Sequence, residues 1–364
     1  MAERQHLRIT GVHALSALGR GADALLAGVL TGTPAFAPVR RFDTTGRRVT
    51  VAATLPEVGP LADELTDAVD AACRAAGLDR PHRSAAALFL AVHGGPEVPA
   101  LAADLARRCG LAERLRVYTT ACVSASTAVA DAATLIGRGD LDRVVVAAGY
   151  LVEPDQYALF DAGRALAADG AVRPFSAGRQ GLLLGDGVAA VVLESPTAAA
   201  RRGAPTLATV PGWGRAGDAY HPCQPDPQGS GLARAVAAAV RRAGLPAEAL
   251  GYVNANATGT PYSDAAEAAA LRRVFGDRAG RIPVSSTKSV HGHALEASGL
   301  LELVVTVLAL RHGKLPVNAG FLGPDDTCPL DVITDAPRPA VTDYALTLNA
   351  AFGGANTALL VGAP

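Results

Sequence analysis

Lysine is almost absent from this chain. Among 33 basic residues in 364, only Lys288 and Lys314 are lysines. Guanidinium and ammonium groups differ in shape, hydration and hydrogen-bond geometry, so each retained lysine points to a place where an ammonium is specifically needed. Charge imbalance is also missing: a formal net charge of −1 provides no field to hold a polyanion, and nucleic acid is not expected as a partner. No apolar run approaches the roughly 18 residues that span a bilayer. The opening "MAERQHLRITG" carries charge where a signal peptide would have its apolar stretch, then reads as a strand. A soluble, cytoplasmic protein with no membrane partner is the expectation.

Cysteine is sparse. Cys73, Cys109, Cys122, Cys223 and Cys328 form no CxxC pair and have no regular spacing. Neither a disulfide framework nor a zinc site is indicated, and no metal is expected. There is no Pro/Ser-rich linker. The stretch over 195–207, "SPTAAARRGAPTL", reads as a short helix and turn near the midpoint. No fixed-period repeat is visible, so a structural duplication is not legible from the letters.

What remains is a chain that is 49% hydrophobic and 18% charged, as compact globular proteins are. Its length permits one large domain or two of typical size. Short apolar runs such as "AAALFLAVHG", "LDRVVVAAGYL", "GVAAVVLES" and "LGYVNANA" alternate with helical spacing over 64–76, 124–138, 232–243 and 264–275. That alternation predicts an α/β protein with largely buried sheets.

Four segments carry candidate chemistry. In "VYTTACVSASTAVADAATLIG" a strand leads into Cys122 and a helix starts at once. A thiol there lies near the positive end of a helix dipole and beside free backbone N–H groups, which favours thiolate and can hold an oxyanion. A small buried hydrophobe is the alternative for Cys122. "VSSTKSVHGHALEASGLLELVV" gathers Lys288, His291, His293, Glu296 and Glu302 around a turn feeding a helix. Such a cluster can hold a general base with its orienting partners, or be a solvated helix start. "LNAAFGGANTALLVG" reads as an apolar strand broken by Gly353 and Gly354, marking a bulge or a close approach to ligand. In "RPFSAGRQGLLLGDGVAAVVLE", Asp186 stands between glycines, where a tight turn is expected.

Taken in order, these segments resemble the β-ketoacyl-acyl-carrier-protein synthases, the ketosynthase branch of the thiolase-fold condensing enzymes. "ITGVHALSALG" is similar to the family's first strand and turn, "TTACVSAS" to its nucleophile segment, and "YVNANATGTPYSDAAEA" to its Asn-Ala-His-Gly-Thr-x-Thr-Pro segment. "STKSVHGHALEASGLLE" and "FGGANTALL" complete the pattern. The resemblance implies an α/β thiolase fold of two similar halves, 1–195 and 196–364, packed as αβαβα layers.

It also implies roles. Cys122 is the nucleophile that accepts an acyl group from a carrier-protein or coenzyme A thioester. His293 matches the second catalytic histidine, Lys288 the family lysine, and Glu302 the helix glutamate that orders this polar site. Backbone N–H groups of Cys122 and Phe352 form the oxyanion hole, with Phe352 as a gate. Thr258 and Thr260 hydrogen-bond the phosphopantetheine arm. No bound cofactor is implied, only phosphopantetheine-linked acyl substrates. The implied partners are an acyl carrier protein and a homodimer mate, or a related ketosynthase-like subunit in a heterodimer. His291 falls outside the pattern: a solvated turn residue is expected, with service as an extra imidazole the alternative. For Cys109 and Cys223 no role is expected.

Two departures bear on activity. Asn256 stands where the family has its first catalytic histidine. A carboxamide keeps a donor but removes a group that titrates near neutrality, and losing one well-placed donor or base costs ~10²–10⁴ in rate. Decarboxylative condensation should suffer more than acylation of Cys122, which predicts a Cys-Asn-His acyltransferase that elongates poorly. True condensation with malonyl-carrier protein, and a non-catalytic chain-length-factor-like subunit, are the alternatives. The second departure is a shortened segment before "ALAADLARRCG", where family members carry part of the dimer interface and acyl pocket. Dimer geometry and chain-length preference are not legible as a result.

Overall fold

The computed structural model describes residues 6–340 and 342–364; the charged opening Met1–Gln5 lies outside them. The first half supplies β1 (Leu7–Ser16), β2 (Ala87–Ala91), β3 (Leu115–Tyr118), β4 (Arg143–Tyr150) and β5 (Gly187–Glu194). The second supplies β6 (Ala208–Gly217), β7 (Leu250–Asn254), β8 (Pro283–Ser285), β9 (Asp331–Val332), β10 (Tyr344–Ala350) and β11 (Ala355–Gly362). Together with the short Gly19–Arg20 strand they form one 12-stranded mixed sheet.

The strand order shows a duplication. In the first half it is β1-β5-β4-β2-β3, and in the second β6-β11-β10-β7-β8, with β9 added at the far edge. Pairing repeats too: the first two contacts of each half are antiparallel and the next two parallel. A three-residue pairing of β1 with β6, from Leu7↔Val210 to Ile9↔Ala208, joins the halves. Parallel neighbours need crossover connections, and each half builds them from helices.

The longest helices among the described residues are α1 (Leu61–Ala75), α2 (Val98–Cys109), α3 (Ser124–Gly137), α4 (Ser230–Ala243), α5 (Pro261–Phe275) and α6 (Ser298–His312). α1 and α2 pack on one outer face and α4 and α5 on the other. α3 and α6 lie inside, in a core shared by both halves. α6 is buried along most of its length and apolar on most sides, as a helix enclosed in a core must be. β4 and β5 are buried at every residue, the pattern of strands covered on both faces. This is the layered α/β arrangement expected from the sequence.

Two expectations need correction. "LNAAFGGANTALLVG" is not a single interrupted strand but a hairpin, in which β10 and β11 pair antiparallel from Tyr344↔Gly362 to Ala350↔Asn356. Gly353 and Gly354 sit in its turn with φ of 84° and 75°, the left-handed region where a Cβ is disfavoured. Asp186 is more than a turn residue. Its side chain is fully buried and accepts from Arg41 Nη1 and Nη2 at 2.9 and 2.6 Å, Leu55 N at 2.9 Å and Val152 N at 2.8 Å. One carboxylate thereby ties three distant segments together.

Candidate active site

The duplication brings two matching turns face to face. After β3, Ala121–Val123 forms a single 3₁₀ turn running into α3; after β8, Leu295–Ala297 does the same before α6. Each turn opens on a non-glycine residue with positive φ, Ala121 at 50° and Leu295 at 40°. Left-handed backbone costs an L-residue about 1–2 kcal/mol, and such strain is kept where surrounding packing over-determines it. The second residue of the first turn is Cys122, and of the second Glu296. The two turns pack against each other.

Cys122, Asn256 and His293 line one cavity of about 350 Å³. Thr258, Thr260 and Phe352 line it as well. The cavity lies beyond the carboxyl ends of parallel strands, where open α/β sheets place their ligand sites. Burial pushes the Cys122 thiol up to about 12, Glu296 adds to the rise, and Lys288 opposes it. The helix start therefore does not by itself deliver the thiolate expected from the sequence. In the resting protein Cys122 is a neutral thiol.

The loop carrying Asn256 is held by the helix that follows it. Pro261 begins α5, where its fixed φ suits the first turn. Asp264 accepts from Thr258 N at 3.1 Å, Gly259 N at 3.2 Å and Phe175 N at 2.8 Å. Glu267, one turn on, accepts from Asn256 N at 2.8 Å. Burial raises Asp264 to about 7 and Glu267 to about 8. The Thr258 and Thr260 hydroxyls are 3.1 Å apart.

Lys288 and Glu302 stand behind Asn256. Both side chains are buried and ion-paired. Lys288 Nζ also donates to Asn256 Oδ1 at 3.4 Å, and Asn349 Nδ2 donates to Glu302 Oε2 at 2.5 Å. Burial raises Glu302 against the opposing pull of Lys288 and Asn349. With Oδ1 taken, the donor end of Asn256 remains.

His293 is fixed at both its backbone and its ring. Its N–H donates to Leu183 O at 2.8 Å, and its carbonyl accepts from Gly185 N at 3.0 Å. Gly185 has no room for a side chain, since a Cβ would come 2.1 Å from His291 O. This is what the "LLLGDG" run does for the site. Burial, then Lys288 and His291, holds the His293 ring well below its usual value.

His291 is not the solvated residue expected. It is fully buried, with Nε2 3.0 Å from Thr287 Oγ1, and burial with Lys288 lowers it to about 3. It does not reach the cavity wall formed by Cys122 and His293. Cys223 does line that cavity, whereas Cys109 is buried with Sγ 3.8 Å from Thr66 O. Phe352, half exposed at the hairpin turn, stacks on Phe160 with centroids 5.9 Å apart. Glu267, Asn349 and Ser298 escaped sequence reasoning: each acts through a buried contact with a distant or helical neighbour that no local pattern announces.

A duplicated α/β fold, with a thiol at a strained turn, a histidine and a carboxamide on one cavity, is the architecture of the thiolase fold. Residues 94–199 match the family described as β-ketoacyl synthase, N-terminal domain, and residues 207–322 its C-terminal domain. Nodulation protein E of Rhizobium meliloti is 39% identical over 275 residues, 75% of this chain and 67% of that protein. The 3-oxoacyl-[acyl-carrier-protein] synthase 2 of Coxiella burnetii is 37% identical over 248 residues, covering 66% of this chain and 60% of that relative's length. Two solved structures superpose over 99% of this chain and 100% of their own, both at 28% identity: the ishigamide ketosynthase/chain length factor, with a TM-score of 0.91, and a β-ketoacyl synthase from Burkholderia phymatum STM815, with 0.90. The chain belongs to the β-ketoacyl synthase family and has the thiolase fold. Among the described residues, no helix is long and apolar enough to cross a membrane.

Proposed function

We propose that this protein is a ketosynthase-type acyltransferase that loads an acyl group onto Cys122 and passes it to another nucleophile with little decarboxylative elongation. The observation that carries this reading is Asn256, a residue without a titratable ring, beside Cys122 and His293 on one cavity. The Cys122 sulfur attacks the donor thioester carbonyl as its thiol proton departs, and the oxyanion forms against the backbone N–H groups of Cys122 and Phe352. Collapse forms the Cys122 thioester and expels the pantetheine thiolate, which takes up the proton given up by Cys122. Attack by the acceptor then reverses the sequence and restores the thiol. His293, with the Asn256 amide beside it, would donate to the thioester carbonyl as it is attacked, and the Thr258 and Thr260 hydroxyls would hold the pantetheine arm.

Acyl carrier protein is the fitting donor or acceptor, in keeping with the name of the Coxiella relative. A second ketosynthase-like subunit, identical or related, is the fitting mate. The edge strand β3, with Val117 exposed, offers an unpaired border for that contact. The two halves 1–195 and 196–364 would act as one unit, the first bringing Cys122 and the second Asn256, His293 and Lys288.

Condensation is the second reading, favoured by the Asn256 amide donor left available when Lys288 takes Oδ1. The presence of Cys122 on the cavity weighs against a chain-length-factor role. The test compares wild type, Cys122→Ala and Asn256→His with acyl-carrier protein, with and without malonyl-carrier protein. An acyl mass adduct that depends on Cys122, with condensation appearing only in Asn256→His, is expected. Carbon dioxide release and β-ketoacyl product from wild type at ordinary ketosynthase rates would sink the transfer reading; no adduct at all would favour the scaffold.

A further inference from the structure

Ser298 opens α6 with its hydroxyl against the back of the His293 ring. Its Oγ lies 2.7 Å from His293 Nδ1 and accepts the Ala294 N–H at 3.0 Å. Both Ser298 and His293 are buried. A hydroxyl has one hydrogen to give and two lone pairs. The Ala294 N–H occupies a lone pair, so the hydroxyl hydrogen is free to point at Nδ1. His293 Nε2 has no partner within the described residues, and the ring borders the cavity beside Cys122. A neutral imidazole carries one N–H, and the partner of one nitrogen decides which nitrogen holds it.

We infer that Ser298 is a positioning residue that selects the Nε2–H tautomer of His293, so that the ring faces the cavity as a hydrogen-bond donor rather than as a base. It rests on the reading of His293 as the group that meets the substrate carbonyl. In that role a fixed N–H stabilises negative charge on the carbonyl oxygen in the transition state, without reorganisation at the moment of reaction. Burial beside Lys288 keeps the ring neutral, so the choice lies between two neutral tautomers. Among the described residues, only the Ser298 hydroxyl meets the ring's inner nitrogen.

The test is nitrogen-resolved NMR of full-length protein labelled with ¹⁵N-histidine, using His293→Asn to assign the signals, together with transfer kinetics. Wild type should show His293 protonated at Nε2 with an acceptor Nδ1. Ser298→Ala should redistribute the proton and lower kcat for transfer about 10²-fold, with native circular dichroism retained. Ser298→Thr, which keeps the hydroxyl, should restore both. An Nδ1–H tautomer in wild type, or a Ser298→Ala variant that loses rate while its tautomer stays unchanged, overturns the proposal. A wild type that condenses instead of transferring would sink the reading of the previous subsection and leave the tautomer measurement standing.

Discussion

Cys122 and Glu296 occupy corresponding positions in the two halves, each the second residue of a 3₁₀ turn that feeds a buried helix. The Cys122 thiol of one half thus faces a carboxyl group of the other. Glu296 is buried; its Oε1 lies 3.0 Å from His93 Nδ1 and its Oε2 has no partner.

Because a nearby negative charge disfavours thiolate, removing it should ease ionisation of Cys122. Glu296→Gln is expected to lower the apparent pKa of Cys122 and so raise the thiolate fraction at a given pH below it. The pH profile of iodoacetamide alkylation at Cys122 measures this. An unchanged or raised midpoint would show that Glu296 exerts no charge on the thiol.

Glu267 should behave as a neutral acid near pH 7, since burial raises it to about 8. Glu267→Gln keeps an acceptor for the Asn256 N–H and is expected to unfold like wild type at neutral pH. Glu267→Ala leaves that N–H unpaired and should cost about 1–3 kcal/mol. Urea melts of the two variants separate these outcomes, and equal losses would refute the neutral-acid assignment.

His291 links stability to pH. Its folded pKa of about 3 lies below the ordinary value near 6.5, so the unfolded chain binds its proton first. Stability from this group is fully present above about pH 6.5 and is lost as pH falls towards 3. Asp264 and Glu267, raised by burial, titrate in the opposite sense, so the informative quantity is wild type against His291→Asn. On acidification from pH 6.5, wild type should lose about 1.4 kcal/mol per pH unit relative to the variant. Parallel stability curves would contradict the burial of a neutral ring.

Asp186 should be among the costliest side chains to remove. Asp186→Ala strands the partly buried Arg41 guanidinium and two backbone N–H groups, an expected loss of about 3–5 kcal/mol. A thermal melt within a degree or two of wild type would show that these contacts are replaced by water.

Strand and helix periodicity, the order of the motif segments, and the identities at Cys122, Asn256, Lys288 and His293 were all legible in the letters, because local patterns depend on neighbouring residues. The duplication was not: the halves share strand order and pairing, which depend on backbone geometry and survive loss of sequence similarity. Long-range contacts were equally hidden. No rule of spacing says that Asp186 would gather Arg41, Leu55 and Val152, that His291 would be buried, or that Cys223 would reach the cavity while Cys109 would not. Sequence alone determined which chemical groups this protein carries. Only the tertiary structure decided their states, because burial, paired charges and the facing helix starts set whether Cys122 rests as a thiol, whether Glu267 holds its proton, and which side of Asn256 meets the cavity.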